Sequence, residues 1–199
     1  AKNRYGITSL YLACQNGNGE LTQALLKAGA DPNAAIAGGE TALMTAARTG
    51  KPEPVAALLK AGAKVDAREV GGQTALMWAA AEGNIKVVDV LLDAGADFKT
   101  PLPKSGYTPF FFAVRQGNTQ VVHRMLAAGV DVNAPMNPQK QNDDLPRKGT
   151  SPLMLAVENG HYDLAVELLE AGANPNDTRT GYSILHALTW IRRPDRGEG

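Results

Sequence analysis

The sequence predicts an all-α solenoid, a stack of helix–turn–helix units joined by hairpin-like loops, with five full units and a partial sixth. A glycine-led phrase such as Gly39-Glu40-Thr41-Ala42-Leu43 recurs after 33, 33, 34, 43 and 32 residues. An Ala-Gly-Ala or Ala-Gly-Val marker follows in each full unit. Between these markers lie two short segments with apolar residues at helical spacing, and self-similarity at this period is typical of repeat architectures.

The recurring phrase divides one domain, residues 1–199, into units of about 4–36, 37–69, 70–103, 104–146, 147–178 and a partial 179–193. A polar tail, 194–199, follows. Both ends lie inside the repeat pattern, so we expect the natural polypeptide to be longer.

Each unit contains the signals for two helices. Thr41 and Thr108 are suited to cap the first helix, and Pro109 stands where a missing N–H costs nothing. That helix is expected to end at a glycine such as Gly50, and the second follows, as in Ile85 to Leu92. Such short helices are marginal alone, so each unit must bury its apolar face, including Leu91, against its neighbours.

These motifs resemble those of the ankyrin-repeat family. The stretch from Gly106 to Val114 is similar to the family's Gly-x-Thr-Pro-Leu-His-x-Ala-Ala pattern, and Leu25 to Asn33 to its Leu-Leu-x-x-Gly-Ala-Asp-x-Asn ending. The usual histidine is found only at His186; the other units carry Tyr11, Met44, Met77, Phe111 and Met154 there. We expect this change to replace a hydrogen bond with apolar packing.

Composition excludes several classes of function. Charge is balanced, with 20 Lys plus Arg against 20 Asp plus Glu, which disfavours nucleic acid and anionic membranes as partners. Cys14 is the only cysteine, so an intrachain disulfide is impossible. No apolar run is long enough for a membrane span. The sequence does not identify the cellular compartment of the protein. We take the cytoplasm as the default expectation, and a targeting segment upstream of the chain is compatible with the sequence.

The sequence contains no pattern typical of an enzyme. By repeat register His123, His161 and His186 occupy three different structural positions, so we expect no metal site, no cofactor and no catalysis. Asp143-Asp144 is expected to be a solvated pair in a polar loop. Cys14 replaces the alanine of other units and is expected to be a small buried residue.

The family resemblance implies that a partner would lie on the concave side, formed by loop tips and first helices. Trp78, Tyr107 and Phe112 could form one aromatic patch there, or Phe110, Phe111 and Phe112 could all belong to the core. By register we expect Phe110 in the core and Phe111 at the site between repeats, which leaves the exposure of Phe112 and Trp78 open. Thr45 and Leu155 are expected on the same groove-facing row. The predicted partner-binding residues are Arg48, Arg68, Trp78, Glu82, Lys104, Tyr107, Phe112, Arg115, Arg147, Lys148 and Tyr182.

We therefore expect a monomeric scaffold that binds a protein or peptide, mildly acidic because the tips are basic. One alternative is a passive spacer or a module of a larger protein. Another is a small-molecule or metal site between two irregular loops, 98–105 and the long loop 134–148. Such insertions are either tolerated loops or part of a binding face.

Overall fold

A computed structural model describes residues 6–139 and 147–191. Within these ranges it contains eleven α-helices. Their bounds are α1 Ser9–Gln15, α2 Gly19–Lys27, α3 Ala42–Arg48, α4 Pro52–Lys60, α5 Ala75–Ala81, α6 Ile85–Asp93, α7 Pro109–Gln116, α8 Thr119–Ala127, α9 Pro152–Glu158, α10 Tyr162–Glu170 and α11 Ile184–Ile191.

The helices form two layers. The first helices of the units (α1, α3, α5, α7, α9 and α11) each pack against the next along the stack, and the second helices (α2, α4, α6, α8 and α10) form the other layer. Within a unit, the first helix packs on the second. The described residues contain no strand; Ala35 and Thr41 form an isolated antiparallel bridge. The predicted all-α repeat fold is confirmed.

Local signals start and stop the first helices as the sequence predicts. The Thr41 and Thr108 hydroxyls accept hydrogen bonds from the backbone N–H of Met44 and Phe111, three residues on. Pro109 occupies the first turn of α7, where no intrahelical N–H is needed. Gly117 ends that helix with φ +69°, a conformation that favours glycine because a side chain would clash with its own backbone.

The core lies between the two helix layers. The apolar residue four positions after the glycine of each phrase is at most 2% exposed in the first five units: Leu10, Leu43, Leu76, Phe110 and Leu153. Leu91 and Cys14 are fully buried, as predicted, whereas Lys86 is exposed. Phe111 is 2% exposed, which confirms the prediction that it is a core residue.

Side-chain amides join consecutive units. Asn84 Nδ2 donates to the carbonyl of Ala47 (2.9 Å), and Asn118 Nδ2 donates to those of Ala80 (2.8 Å) and Ala81 (2.9 Å). In each case the donor is the residue just before the second helix of one unit. The acceptors lie at the C-terminal end of the first helix of the unit before it. Helix ends leave carbonyls without intrahelical partners, so the third and fourth units each complete hydrogen bonding of the unit before them.

The long loop is anchored at its base. Met136 is 1% exposed, its N–H donates to the Thr150 carbonyl (2.8 Å), and its carbonyl accepts from Gly149 N–H (2.8 Å). Gly106 allows close approach: a Cβ there would lie 2.8 Å from Pro138 N. The Asp143-Asp144 pair and the tail 194–199 lie outside the described residues.

Candidate functional site

The predicted partner-binding residues lie on the first helices, in the loops that precede them or, for Glu82, at the C-terminal end of α5. The stacking of α3, α5, α7, α9 and α11 places them in a row across neighbouring units. Second-helix residues such as Arg124 and His123 lie in the opposite layer. We call the eleven predicted partner-binding residues, from Arg48 to Tyr182, the groove row.

Trp78, on α5, is half-buried beneath an arginine of the preceding unit. The Arg48 guanidinium carbon lies 4.7 Å from the centroid of the Trp78 ring, a cation–π arrangement. Arg48 is held only loosely by Glu40, with the closest nitrogen–oxygen distance at 3.8 Å, and its side chain is 48% exposed. The Trp78 indole Nε1 is buried, and none of the described residues accepts a hydrogen bond from it.

Tyr107 was expected at an exposed tip, but it is 5% exposed. Its ring packs against Phe112, with centroids 5.0 Å apart, and edge-on against Phe111 at 6.4 Å. The Arg115 guanidinium carbon lies 5.8 Å from its ring centroid. Desolvation raises the pKa of the Tyr107 phenol, partly offset by Arg115. Close packing between loop and helix, which the repeat pattern alone does not specify, buries this tyrosine.

Phe112 is half-buried and packs against the core. The predicted aromatic patch is therefore assembled differently from the expectation. Tyr107 and Phe112 of the fourth unit are in contact with each other, whereas Trp78 of the third unit pairs with Arg48 of the second.

A third pair lies toward the end of the stack. The Arg147 guanidinium carbon is 5.1 Å from the Tyr182 ring centroid, and the Tyr182 hydroxyl donates a hydrogen bond to Glu158 on α9. Desolvation and the hydrogen bond to the Glu158 carboxylate raise the pKa of Tyr182 to about 12. The link between Glu158 and Tyr182 joins two units and is visible only in the structure.

The remaining predicted residues differ in whether contacts within the chain restrain their side chains. Arg68 donates to the Gly72 carbonyl (2.9 Å) and lies 4.0 Å from the Asp97 carboxylate, so its own loop restrains it. Glu82, Lys104 and Lys148 are exposed.

Two residues expected to face the groove are buried instead. Thr45 is 5% exposed because its hydroxyl donates to Glu40 (2.9 Å), and Leu155 is 2% exposed in the packing of α9. Leu12, which has the register of Thr45 and Leu155, is 47% exposed. The prediction for Thr45 and Leu155 was wrong because their helical position lies at the border between the buried and the exposed side of the helix. At such a position, the size of the neighbouring side chains decides whether a residue is buried.

The histidines have separate structural environments. His161 Nε2 donates to the Arg115 carbonyl (2.9 Å), the bond that Asn84 and Asn118 make elsewhere. His123 Nε2 lies 2.8 Å from Glu167, and His186 Nδ1 lies 2.7 Å from the Ser183 hydroxyl. Residues 6–139 and 147–191 contain no group of three metal-ligating side chains. No helix in those ranges has the length and apolar character to cross a membrane.

A cavity of about 330 Å³ lies between the two irregular loops, lined by Phe98, Pro101, Phe110, Val130 and Pro135 among others. A crevice of about 350 Å³ occupies the corresponding place in the first unit, where Leu10, Ala30 and Ala34 line it. Because the register is the same, the cavity is a feature of the repeat that the loops modify.

Comparison with known proteins identifies the family. The model of ankyrin repeats (3 copies) matches residues 10–101, 66–136 and 99–179. The crystal structure of the human ASB11 ankyrin repeat domain superposes with a TM-score of 0.77 at 23% sequence identity, covering 97% of this chain and 87% of that one. The search of curated proteins gives no match. The chain belongs to the ankyrin-repeat family.

Membership of this family defines the class of protein. Ankyrin repeats are generally protein–protein interaction modules, and the family is one of non-enzymatic scaffolds. The likeness to the ASB11 domain concerns the fold alone.

Proposed function

We propose that this protein binds a protein or peptide partner through the concave side of the stack, with the groove row as the contact surface. The observation that carries the proposal is the series of arginine–aromatic pairs along that row: Arg48 on Trp78, Arg115 on Tyr107 and Arg147 on Tyr182. Tryptophan, tyrosine and arginine are the residues most enriched at binding hot spots.

Each pair prepares a side chain for contact. An arginine stacked on a ring keeps its N–H donors at the ring's edge while losing conformational freedom before binding, which lowers the entropy cost of association. The buried Trp78 Nε1 has no acceptor among the described residues, so this position offers a donor for a carbonyl or carboxylate of the partner.

Charge favours an extended, mildly acidic partner segment. The row contributes three exposed guanidinium groups, those of Arg48, Arg115 and Arg147, against the one exposed carboxylate of Glu82. The nearby Glu158 is engaged by Tyr182. Complementary charges accelerate encounter and set the orientation of the bound segment. We propose that the chain acts as a monomer and performs no reaction of its own.

The test is affinity capture from a lysate of the native host with the parent chain and an Arg48→Glu, Arg115→Glu, Arg147→Glu variant. A Lys27→Glu, Lys60→Glu, Lys86→Glu variant is the matched control, because it makes the same change in net charge on exposed second-helix positions. Circular dichroism checks that all three remain helical.

We expect the parent and the lysine variant to retain the same partner and the arginine variant to lose it. Retention should also weaken as salt increases. Equal retention by the two variants would refute the groove assignment. If none of the three retains a specific protein, the spacer alternative is favoured.

A further inference from the structure

At three junctions between units, a side chain four residues after the glycine that follows a second helix ties one loop to the next. In the first unit this residue is Asn33, which accepts from the Lys64 N–H (2.8 Å) and donates to the Gly62 carbonyl (3.0 Å) of the second unit. Asn133 of the fourth unit makes the same two bonds to the fifth (2.8 and 3.0 Å). Asp66 of the second unit accepts in the same way from a backbone N–H of the third (2.9 Å). We call this side chain the loop clamp.

The junction between the third and fourth units lacks the loop clamp, because Lys99 occupies its position. An ammonium group carries donors only, so it cannot accept from a backbone N–H. The Lys99 Nζ instead lies 5.5 Å from the ring centroid of Phe98, its neighbour in the chain. The two groups that correspond to those bound by Asn33 are the Asp131 N–H and the Gly129 carbonyl, and neither has a hydrogen-bond partner within residues 6–139 and 147–191.

The cavity of about 330 Å³ between the two irregular loops opens at this same junction. Lys99, Gly129 and Asp131 all line it. Its apolar walls include Phe98, Pro101, Phe110, Phe111 and Pro135. Small-molecule sites typically combine such a volume with apolar walls and a few backbone N–H or C=O groups that orient the ligand. None of the lining residues belongs to the groove row, so this is a separate site.

We propose that this cavity binds a small uncharged molecule with an aromatic body and a primary carboxamide. The carboxamide oxygen accepts from the Asp131 N–H and its NH₂ donates to the Gly129 carbonyl. The chain itself indicates this chemistry, since the carboxamides of Asn33 and Asn133 bind the equivalent groups at other junctions. The aromatic body packs against the phenylalanine-rich wall.

A charged ligand fits the junction less well. A carboxylate has no donor for the Gly129 carbonyl, and it would lie close to the Asp131 carboxylate. An ammonium has no acceptor for the Asp131 N–H, and it would lie close to Lys99. A carboxamide supplies both a donor and an acceptor without adding charge.

The test titrates 2-naphthamide into the ¹⁵N-labelled chain. We expect a Kd of about 1 mM or lower, typical of a ligand of this size, with shifts in the amide resonances of residues 98–100 and 129–134. The carboxylate with the same ring, 2-naphthoate, is the control ligand. It should bind about tenfold more weakly or worse, because it leaves the carbonyl unpaired and adds a charge.

Substitutions at position 99 separate the backbone groups from the lysine. Lys99→Asn supplies a loop clamp from within the chain, so it should weaken binding of 2-naphthamide about tenfold or more and raise the melting temperature. Lys99→Ala removes the ammonium without supplying a clamp and should bind as the parent does. Lys64→Asn is the matched control: it makes the same substitution at an exposed loop position, where the fifth unit has Asn174, and should leave binding unchanged.

The proposal is overturned if 2-naphthamide does not bind, or if the shifts cluster around Trp78 in the groove row instead. Equal binding by Lys99→Asn and the parent would also overturn it, because the clamp and the ligand would then not share the two backbone groups. Tighter binding of 2-naphthoate, or loss of binding in Lys99→Ala, would overturn it by showing that the ammonium of Lys99 holds the ligand. None of these outcomes bears on the groove row, which is tested with other residues.

Discussion

The middle of the stack and its C-terminal end use the same residue at the same register with opposite results. Leu76 is fully buried, whereas Leu185 is 69% exposed. Both lie on a first helix four residues after the phrase glycine. The difference is the neighbouring second helix, which α6 supplies for Leu76 and no described element supplies for Leu185. In a repeat protein, burial belongs to the interface between elements rather than to the residue.

The largest expected effect contrasts these two leucines directly. Leu76→Ala should lower the free energy of unfolding by about 2–5 kcal/mol, because it removes buried methyl groups and leaves a cavity. Leu185→Ala should lower it by about 0.5 kcal/mol or less, as for other exposed substitutions. Urea unfolding followed by circular dichroism measures both. If the two variants lose similar amounts of unfolding free energy, the proposed difference in burial between Leu76 and Leu185 is contradicted.

An intermediate effect is expected for the amides at the helix ends. Asn118→Ala should cost about 1–2 kcal/mol, because it removes the side-chain hydrogen bonds to the Ala80 and Ala81 carbonyls of the preceding unit. Asn159→Ala should cost about 0.5 kcal/mol or less, since exposed Asn159 donates only to Leu155 of its own helix. Thermal melting of both variants compares them. A larger loss for Asn159→Ala would show that these bonds do not join units.

The smallest effect is expected for the ion pair between Asp177 and Arg179, near the C-terminal end of the stack. Asp177 has the register of Ala34 and Ala67, and its carboxylate binds the Arg179 side chain at 2.6 and 2.9 Å. The hydrogen bond from Arg179 lowers the pKa of Asp177 below its usual value despite desolvation. A lowered pKa means that the unfolded chain binds the proton more readily, so this stabilisation is present above the usual carboxyl pKa and is lost as pH falls.

Asp177→Asn should therefore reduce the melting temperature at neutral pH and flatten its decline in acid. The effect should be about 1 kcal/mol or less, since the Arg179 side chain is 41% exposed. Melting curves from neutral to acid pH measure it, with Asp163→Asn on exposed α10 as the control. An unchanged acid profile would show that the pair does not contribute.

The candidate site was less predictable than the fold. Repeat register correctly predicted the buried Phe110, Phe111 and Cys14. It predicted an exposed Tyr107 and groove-facing Thr45 and Leu155, all of which are buried. Register fixes which side of a helix a residue occupies, but contacts with a particular neighbour, such as Tyr107 on Phe112, decide its exposure. Whether the groove row binds a partner stays a prediction.

The sequence by itself determined the repeat, the helix pairs and the family, because glycines that adopt positive φ, threonine caps and apolar periodicity act within a few residues along the chain. Only the tertiary structure decided that Arg48 stacks on Trp78, that Glu158 binds Tyr182 and that Leu185 is left exposed. These features depend on side chains from different units meeting across an interface. Their geometry follows from how the units stack, which local propensity does not specify.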